Sequence, residues 1–151
     1  MGYYDLEQPA YLHVDEDTEY LAVTLVQGSG GDRKVCAMAT RAMTPTEKSC
    51  PRMERLLIAA AWGVKRFQRC CFYVHKLVIV LPSRVDLVIA NGKQAPPRLM
   101  ARIIELDSMG CTYEVGQGAW QLNEELKRLG KLEGSKVEEN LRQKTLLQKD
   151  T

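Results

Sequence analysis

Three consecutive acids, Asp15, Glu16 and Asp17, with Glu19 close behind, follow the apolar run Tyr11-Leu-His-Val. Carboxylates at a strand end are the residue type that holds hard divalent cations and, on paired metals, activates water for phosphodiester hydrolysis. The same turn also reads as a solvated loop. His13 and His75 have no Ser or Cys nucleophile at a readable spacing, so each is expected to be structural rather than catalytic. Gln27-Gly-Ser-Gly-Gly-Asp32 is glycine-rich, but no Lys-Ser/Thr and no helix follow it. A hairpin turn is therefore the expectation, not a phosphate loop.

A second candidate surface is basic. Arg55, Trp62, Lys65, Arg66 and Arg69 lie off the apolar stripe of one helical stretch. They form either a solvated face or a contact face for nucleic acid or a protein partner, where Trp and Arg are enriched. The five cysteines (Cys36, Cys50, Cys70, Cys71 and Cys111) lack CxxC spacing. Reduced, buried thiols in an intracellular setting, cytoplasmic or nuclear, are the expectation.

The elements that must position these residues alternate along the chain. Residues 11–14 and 19–27 read as strands around the acidic turn, and 33–40 as a third strand whose small residues suit a central position. Thr44-Pro45-Thr46-Glu47 caps a long helix with Met53, Leu56, Leu57, Ala60, Val64 and Phe67 on one stripe. Lys76 to Leu81 reads as a strand buried on both faces. A short helix follows, around Arg84 to Ala90, closed by Asn91-Gly92 as a C-cap. Pro96-Pro97 open another helix, with Leu99, Met100, Ile103, Ile104 and Leu106 inward. A fifth strand, Cys111 to Val115, precedes a helix marked by Leu122, Leu126 and Leu129. The order predicts an α/β fold (α+β mixed) whose five-stranded mixed sheet carries helices on both faces.

The chain has 151 residues and a net charge of +2, with 26% charged residues. That is room for one core and no global field for nucleic acid or membrane. The apolar runs are too short to span a bilayer. Met1-Gly2 leads into polar residues, which reads as no signal peptide, and Leu6 stands where myristoylation needs Ser or Thr. The expected organisation is a lead-in over 1–10, one domain over 11–130, and a polar helix or linker over 131–151.

The segment Ala39-Thr-Arg-Ala-Met-Thr-Pro-Thr-Glu-Lys-Ser-Cys-Pro-Arg-Met-Glu-Arg-Leu-Leu57 resembles the Tyr-Ala-Ser-Arg-x-Leu-Thr-Pro-x-Glu-x-x-Tyr run of ribonuclease H-like domains in retroviral and long-terminal-repeat retrotransposon polymerases. Val14-Asp15-Glu16, Cys50-Pro-Arg-Met53, Val78-Ile-Val-Leu-Pro82 and Gly116-Gln-Gly-Ala-Trp-Gln-Leu-Asn123 are similar to the gammaretroviral reverse transcriptase connection subdomain, a fold of that kind without catalysis. The resemblance implies a ribonuclease H-like fold and, in active members, four acids around two magnesium ions. Carried over, Asp15 keeps the first acid. Leu56 takes the helix position, with Glu54 one step off. Leu81-Pro82-Ser83 replaces the acid after the fourth strand, and Asn123 the last one. Asp86 lies a turn beyond Pro82, so its carboxylate is expected to point elsewhere.

No cofactor and no metal are therefore expected. The leading function is a catalytically inactive, retroelement-derived scaffold or protein-interaction module in a larger protein. Its partners would be another protein or flanking domains of the same chain, with weak nucleic-acid binding and a homodimer as further expectations and no membrane. Non-cleaving binding of an RNA–DNA hybrid or duplex is the alternative. A residual Mg-dependent ribonuclease H using Asp15, Glu54 and Asp86 comes third.

Overall fold

Apolar runs rich in β-branched and small residues form the first strands, β1 (Ala10–Glu16), β2 (Tyr20–Gln27) and β3 (Lys34–Ala42), which pair as an antiparallel meander. The computed structural model describes residues 7–28, 33–68, 76–92 and 95–130. Asp17 builds the first turn, its Oδ1 accepting from the N–H groups of Glu19 and Tyr20, each at 2.7 Å. Gly28, at φ +83°, starts the second connection. The rest of that loop, like Arg69, Cys70, Cys71, His75 and the segment 131–151, lies outside the described residues.

The sheet order is β3-β2-β1-β4-β5, with β4 (Leu77–Leu81) and β5 (Cys111–Val115) parallel to β1. So β3 is an edge strand, not a central one. Ala37 and Ala39 are buried in the main core, with no further strand beyond β3 among the described residues. β4 is buried along its whole length, as its apolar run required.

The long helix is two helices. Thr44 caps α1 (Pro45–Lys48) in a capping box with Glu47. Pro51, which has no N–H to donate and holds its predecessor out of helical geometry, breaks the run before α2 (Arg52–Arg66). Met53, Leu56, Leu57, Ala60 and Val64 of α2 are buried against β1 and β2. Gly63 permits the close approach, since a Cβ there would lie 2.9 Å from Val23 Cγ1 and 3.0 Å from Leu12 Cδ2.

Ser83 caps α3 (Arg84–Asn91) by accepting from the N–H of Asp86 at 3.2 Å. Its end is not a left-handed cap, because Gly92 is extended at φ −79°, ψ 153° and donates to Ile89 O. In α4 (Pro97–Ser108), Ile103 and Leu106 are buried but Ile104 is 60% exposed. Adjacent helical residues point about 100° apart, so Ile104 cannot share the inward stripe of Ile103. Leu129 is likewise exposed, just past α5 (Ala119–Arg128), while Leu122 and Leu126 are buried. α2 and α4 pack together on one side of the sheet, and α5 covers β1 and β2 from the other. No helix among the described residues is long and apolar enough to cross a membrane.

Candidate functional site

Side chains alternate across a strand, so the consecutive acids of β1 diverge. Asp15 turns to the α5 side with His13, and Glu16 turns to the α2 side with Leu12 and Val14. Each acid then meets its own partner.

Asp15 is held by backbone. Its Oδ1 accepts from the Glu16 N–H at 3.0 Å and its Oδ2 from the Trp120 N–H at 3.3 Å, at the electropositive start of α5. Gly118 lies directly against the carboxylate, where a Cβ would sit 2.8 Å from Asp15 Cγ. Burial pushes the Asp15 pKa up, the Glu16 and Trp120 N–H groups oppose this, and the charges of Glu16 and Asp17 add to it.

Glu16 accepts from Arg55 Nε at 2.9 Å and lies 3.6 Å from Arg52 Nε. Arg52 Nη1 donates to Asp86 Oδ1 at 2.7 Å. Asp86 is 2% exposed, and its Oδ2 has no hydrogen-bond partner. The Asp86 carboxylate is engaged by Arg52, whose Nε also approaches Glu16. Glu54, also 2% exposed, faces α4 instead, with Arg98 Nε 3.0 Å from either carboxylate oxygen and Arg102 Nε at 4.0 Å.

The other carried-over positions are structural. Leu56 and Leu81 are fully buried in the core. Pro82 is half-buried at the end of β4. Asn123 lies on the buried face of α5, where its Oδ1 accepts from Thr24 Oγ1 at 2.9 Å. Thr24 pairs with His13, and Ala22 with Asp15, so Asn123 contacts β2 at a ladder position two residues away from that of Asp15.

These residues do not fit a two-metal centre. Hard cations need converging oxygen donors, and here each acid is already engaged by a guanidinium or by backbone N–H groups. Among the described residues no three His, Cys, Asp or Glu side chains gather closely enough to hold a metal.

The basic face is also largely committed. Arg55 turns in to Glu16 and donates to Cys50 O at 2.9 Å. Trp62 lies under the Arg41 guanidinium, 5.1 Å from the ring centroid, while Arg41 forms a two-pronged pair with Glu47 at 2.7 and 2.8 Å. Lys65 pairs with Glu105 at 2.9 Å. Arg66 stays exposed, and Arg69 lies outside the described residues. Sequence reasoning missed Arg52, Arg98 and Arg102. Arg52, one turn before Arg55 in the first turn of α2, carried a readable signal.

His13 is buried and tied to the loop before α5 by Nδ1, 2.9 Å from Gln117 O. Burial lowers its pKa, the Gln117 carbonyl partly restores it, and the charge of Arg33 lowers it further. The unfolded chain thus binds the His13 proton more readily. Stability from this group is fully present above its ordinary value of 6.5 and is lost as pH falls through the depressed value. Asp15 acts oppositely, contributing most below 3.8 and less as pH rises through its raised value. The Tm of His13→Gln is expected to fall less than that of the unaltered chain between about pH 6.5 and 5. Parallel curves would contradict this assignment.

Residues 1–79 match the sequence profile of the RNase H-like domain found in reverse transcriptase. Among solved structures, the foamy viral protease-reverse transcriptase in complex with dsDNA is similar at 15% identity and a TM-score of 0.57, over 78% of this chain and 26% of that one. The same viral protein in complex with an RNA/DNA hybrid matches at 16% identity and a TM-score of 0.52, over 75% and 16%. LC11-RNase H1 in complex with an RNA/DNA hybrid matches at 6% identity and a TM-score of 0.52, over 74% and 86%. At these identities the likeness is one of fold. The chain spans at most about a quarter of the length of these two viral chains. A comparison with curated proteins finds no match.

Proposed function

The chain belongs to the RNase H-like domains found in reverse transcriptase, and from that premise we propose that it is a non-catalytic member serving as a scaffold or protein-interaction module within a larger, retroelement-derived protein. One observation carries the proposal: the acids Asp15, Glu16, Glu54 and Asp86 are each neutralised inside the fold, by arginines or by the start of α5. Two-metal hydrolysis needs such acids free and converging on ions about 4 Å apart. The intact core beside them supports a retained structural use. An intracellular setting suits the thiols, since Cys36, Cys50 and Cys111 are buried and burial pushes Cys111 up to about 11.

Holding a duplex without cutting it is the second reading. It is favoured by the nucleic-acid complexes of the solved neighbours and by exposed Arg66. A net charge of +2 leaves little general attraction to phosphate.

Titrating the chain with a short RNA–DNA hybrid at low and moderate salt separates the readings. A scaffold leaves the hybrid unbound at both. Binding that weakens steeply with salt and with Arg66→Glu would favour the duplex reading. Product formed with Mg²⁺ would sink both.

A further inference from the structure

Exposed apolar side chains gather at one edge of the sheet. Among the described residues, Val85, Val88, Ile104, Val115 and Leu129 are the large ones left exposed. The first four sit on β5 or on α3 and α4, the two helices packed against it. Both helices turn a charged side toward α2: Asp86 meets Arg52, Arg98 and Arg102 approach Glu54, and Glu105 meets Lys65. At about 100° per residue, Val85 and Val88 fall on the flank of α3 away from Asp86, and Ile104 on the flank of α4 away from Arg102. Since α2 packs over β1 and β2, those flanks look past the β5 edge.

The backbone of that edge is uncommitted. Gly116 donates its N–H to Leu81 O at 3.0 Å, and backbone groups alternate in direction along a strand. Thr112 and Glu114 therefore face β4, while Tyr113 and Val115 turn their N–H and C=O groups outward, where no partner lies among the described residues. The opposite edge is better guarded. β3 carries a bulge opposite Leu25 and Val26, and Arg41 Nη1 donates to Ala42 O at 3.1 Å.

We propose that a second copy of the chain docks on the β5 edge, with β5 pairing antiparallel to itself about Tyr113 so that the two sheets become one. The occupant follows from the self-complementarity of the edge. That register sets Glu114 opposite Thr112 and Cys111 opposite Val115, so no two like charges face each other. It also sets the outward groups of Tyr113 against those of its counterpart, as an antiparallel ladder requires. The two-fold axis stands perpendicular to the sheet and keeps both sets of helices on one side. The flanks bearing Val85, Val88 and Ile104 then turn toward the axis and shield one another. A lone extended segment would satisfy the backbone but leave those flanks in water. The inference deepens the protein-interaction reading, on which it rests, by naming one partner.

The test is the solution mass of the chain by sedimentation velocity over a range of concentrations. The unaltered chain is expected to approach the mass of two chains as its concentration rises. Val115→Pro removes one outward N–H, a change that an edge strand tolerates. Val88→Glu with Ile104→Glu places charge on the two flanks. Each of these variants is expected to raise the dimer dissociation constant by about tenfold or more. Leu129→Glu, at the exposed apolar residue just past α5, should leave it unchanged. If circular dichroism shows Val115→Pro unfolded, the Val88→Glu/Ile104→Glu chain carries the comparison. A single-chain mass at every concentration would overturn the proposal. So would a dimer that survives both changes, or one that Leu129→Glu weakens equally. Hybrid cleavage by the unaltered chain is a separate outcome, which sinks the non-catalytic reading and leaves these masses unaffected.

Discussion

Gly118→Ala is expected to cost about 2–3 kcal/mol of stability, the upper range for forcing a methyl group into a packed site. The new Cβ would run into the Asp15 carboxylate, with Cγ only 2.8 Å away. Asp15 cannot simply swing aside, because the N–H groups of Glu16 and Trp120 hold its two oxygens. Either the carboxylate gives up those bonds or the start of α5 lifts from β1. Asp15→Ala alone should change stability by no more than about 1 kcal/mol, since a lost helix-start acceptor is offset by removal of a charge that burial disfavours. The double variant should regain most of the loss, giving a coupling of about 1–2 kcal/mol in urea unfolding. Additive losses would show that the loop, and not the carboxylate, sets the constraint.

Removing Arg98 and Arg102 together is expected to cost about 2–3 kcal/mol. Glu54 would be left in a site only 2% exposed with its guanidinium partners gone. Breaking a fully enclosed pair costs about 3–5 kcal/mol. The lower figure applies because the Arg98 and Arg102 side chains are 62% and 39% exposed, so water can follow them in. Glu54→Met alone should cost no more than about 1 kcal/mol, because the released arginines return to solvent. Glu54→Met added to Arg98→Ala/Arg102→Ala should recover most of the loss. Should the two-arginine variant prove as stable as Glu54→Met, Glu54 is not a buried charge in need of a partner.

Much of the fold was readable because apolar runs decide it. β1, β2 and β4 are so strongly apolar, and α2 so regularly striped, that their existence and burial follow from pattern alone. The place of β3 did not follow: Cys36, Ala37 and Ala39 suit a close helix as well as a neighbouring strand, and composition cannot separate the two. Pro51 and the neighbours Ile103 and Ile104 carried local signals that the long stripe overrode.

The site divides in the same way. Period-two alternation already sends Asp15 and Glu16 to opposite faces, so their divergence was legible. Their neutralisation was not. Arg52 reaches Asp86, and Arg98 reaches Glu54, across segments far apart in the chain, and only tertiary packing brings such partners together. The partners of the basic face were hidden for the same reason, since Arg55, Trp62 and Lys65 find Glu16, Arg41 and Glu105 in the folded state.

The most direct test of an RNase H-like domain whose acids serve only its own fold is a single-turnover assay. Excess chain is incubated with a labelled RNA–DNA hybrid in Mg²⁺ and, separately, in Mn²⁺, and the RNA strand is resolved by length. The expected result is intact RNA in both ions. RNA cut by the unaltered chain and left intact by Asp15→Asn would contradict the account.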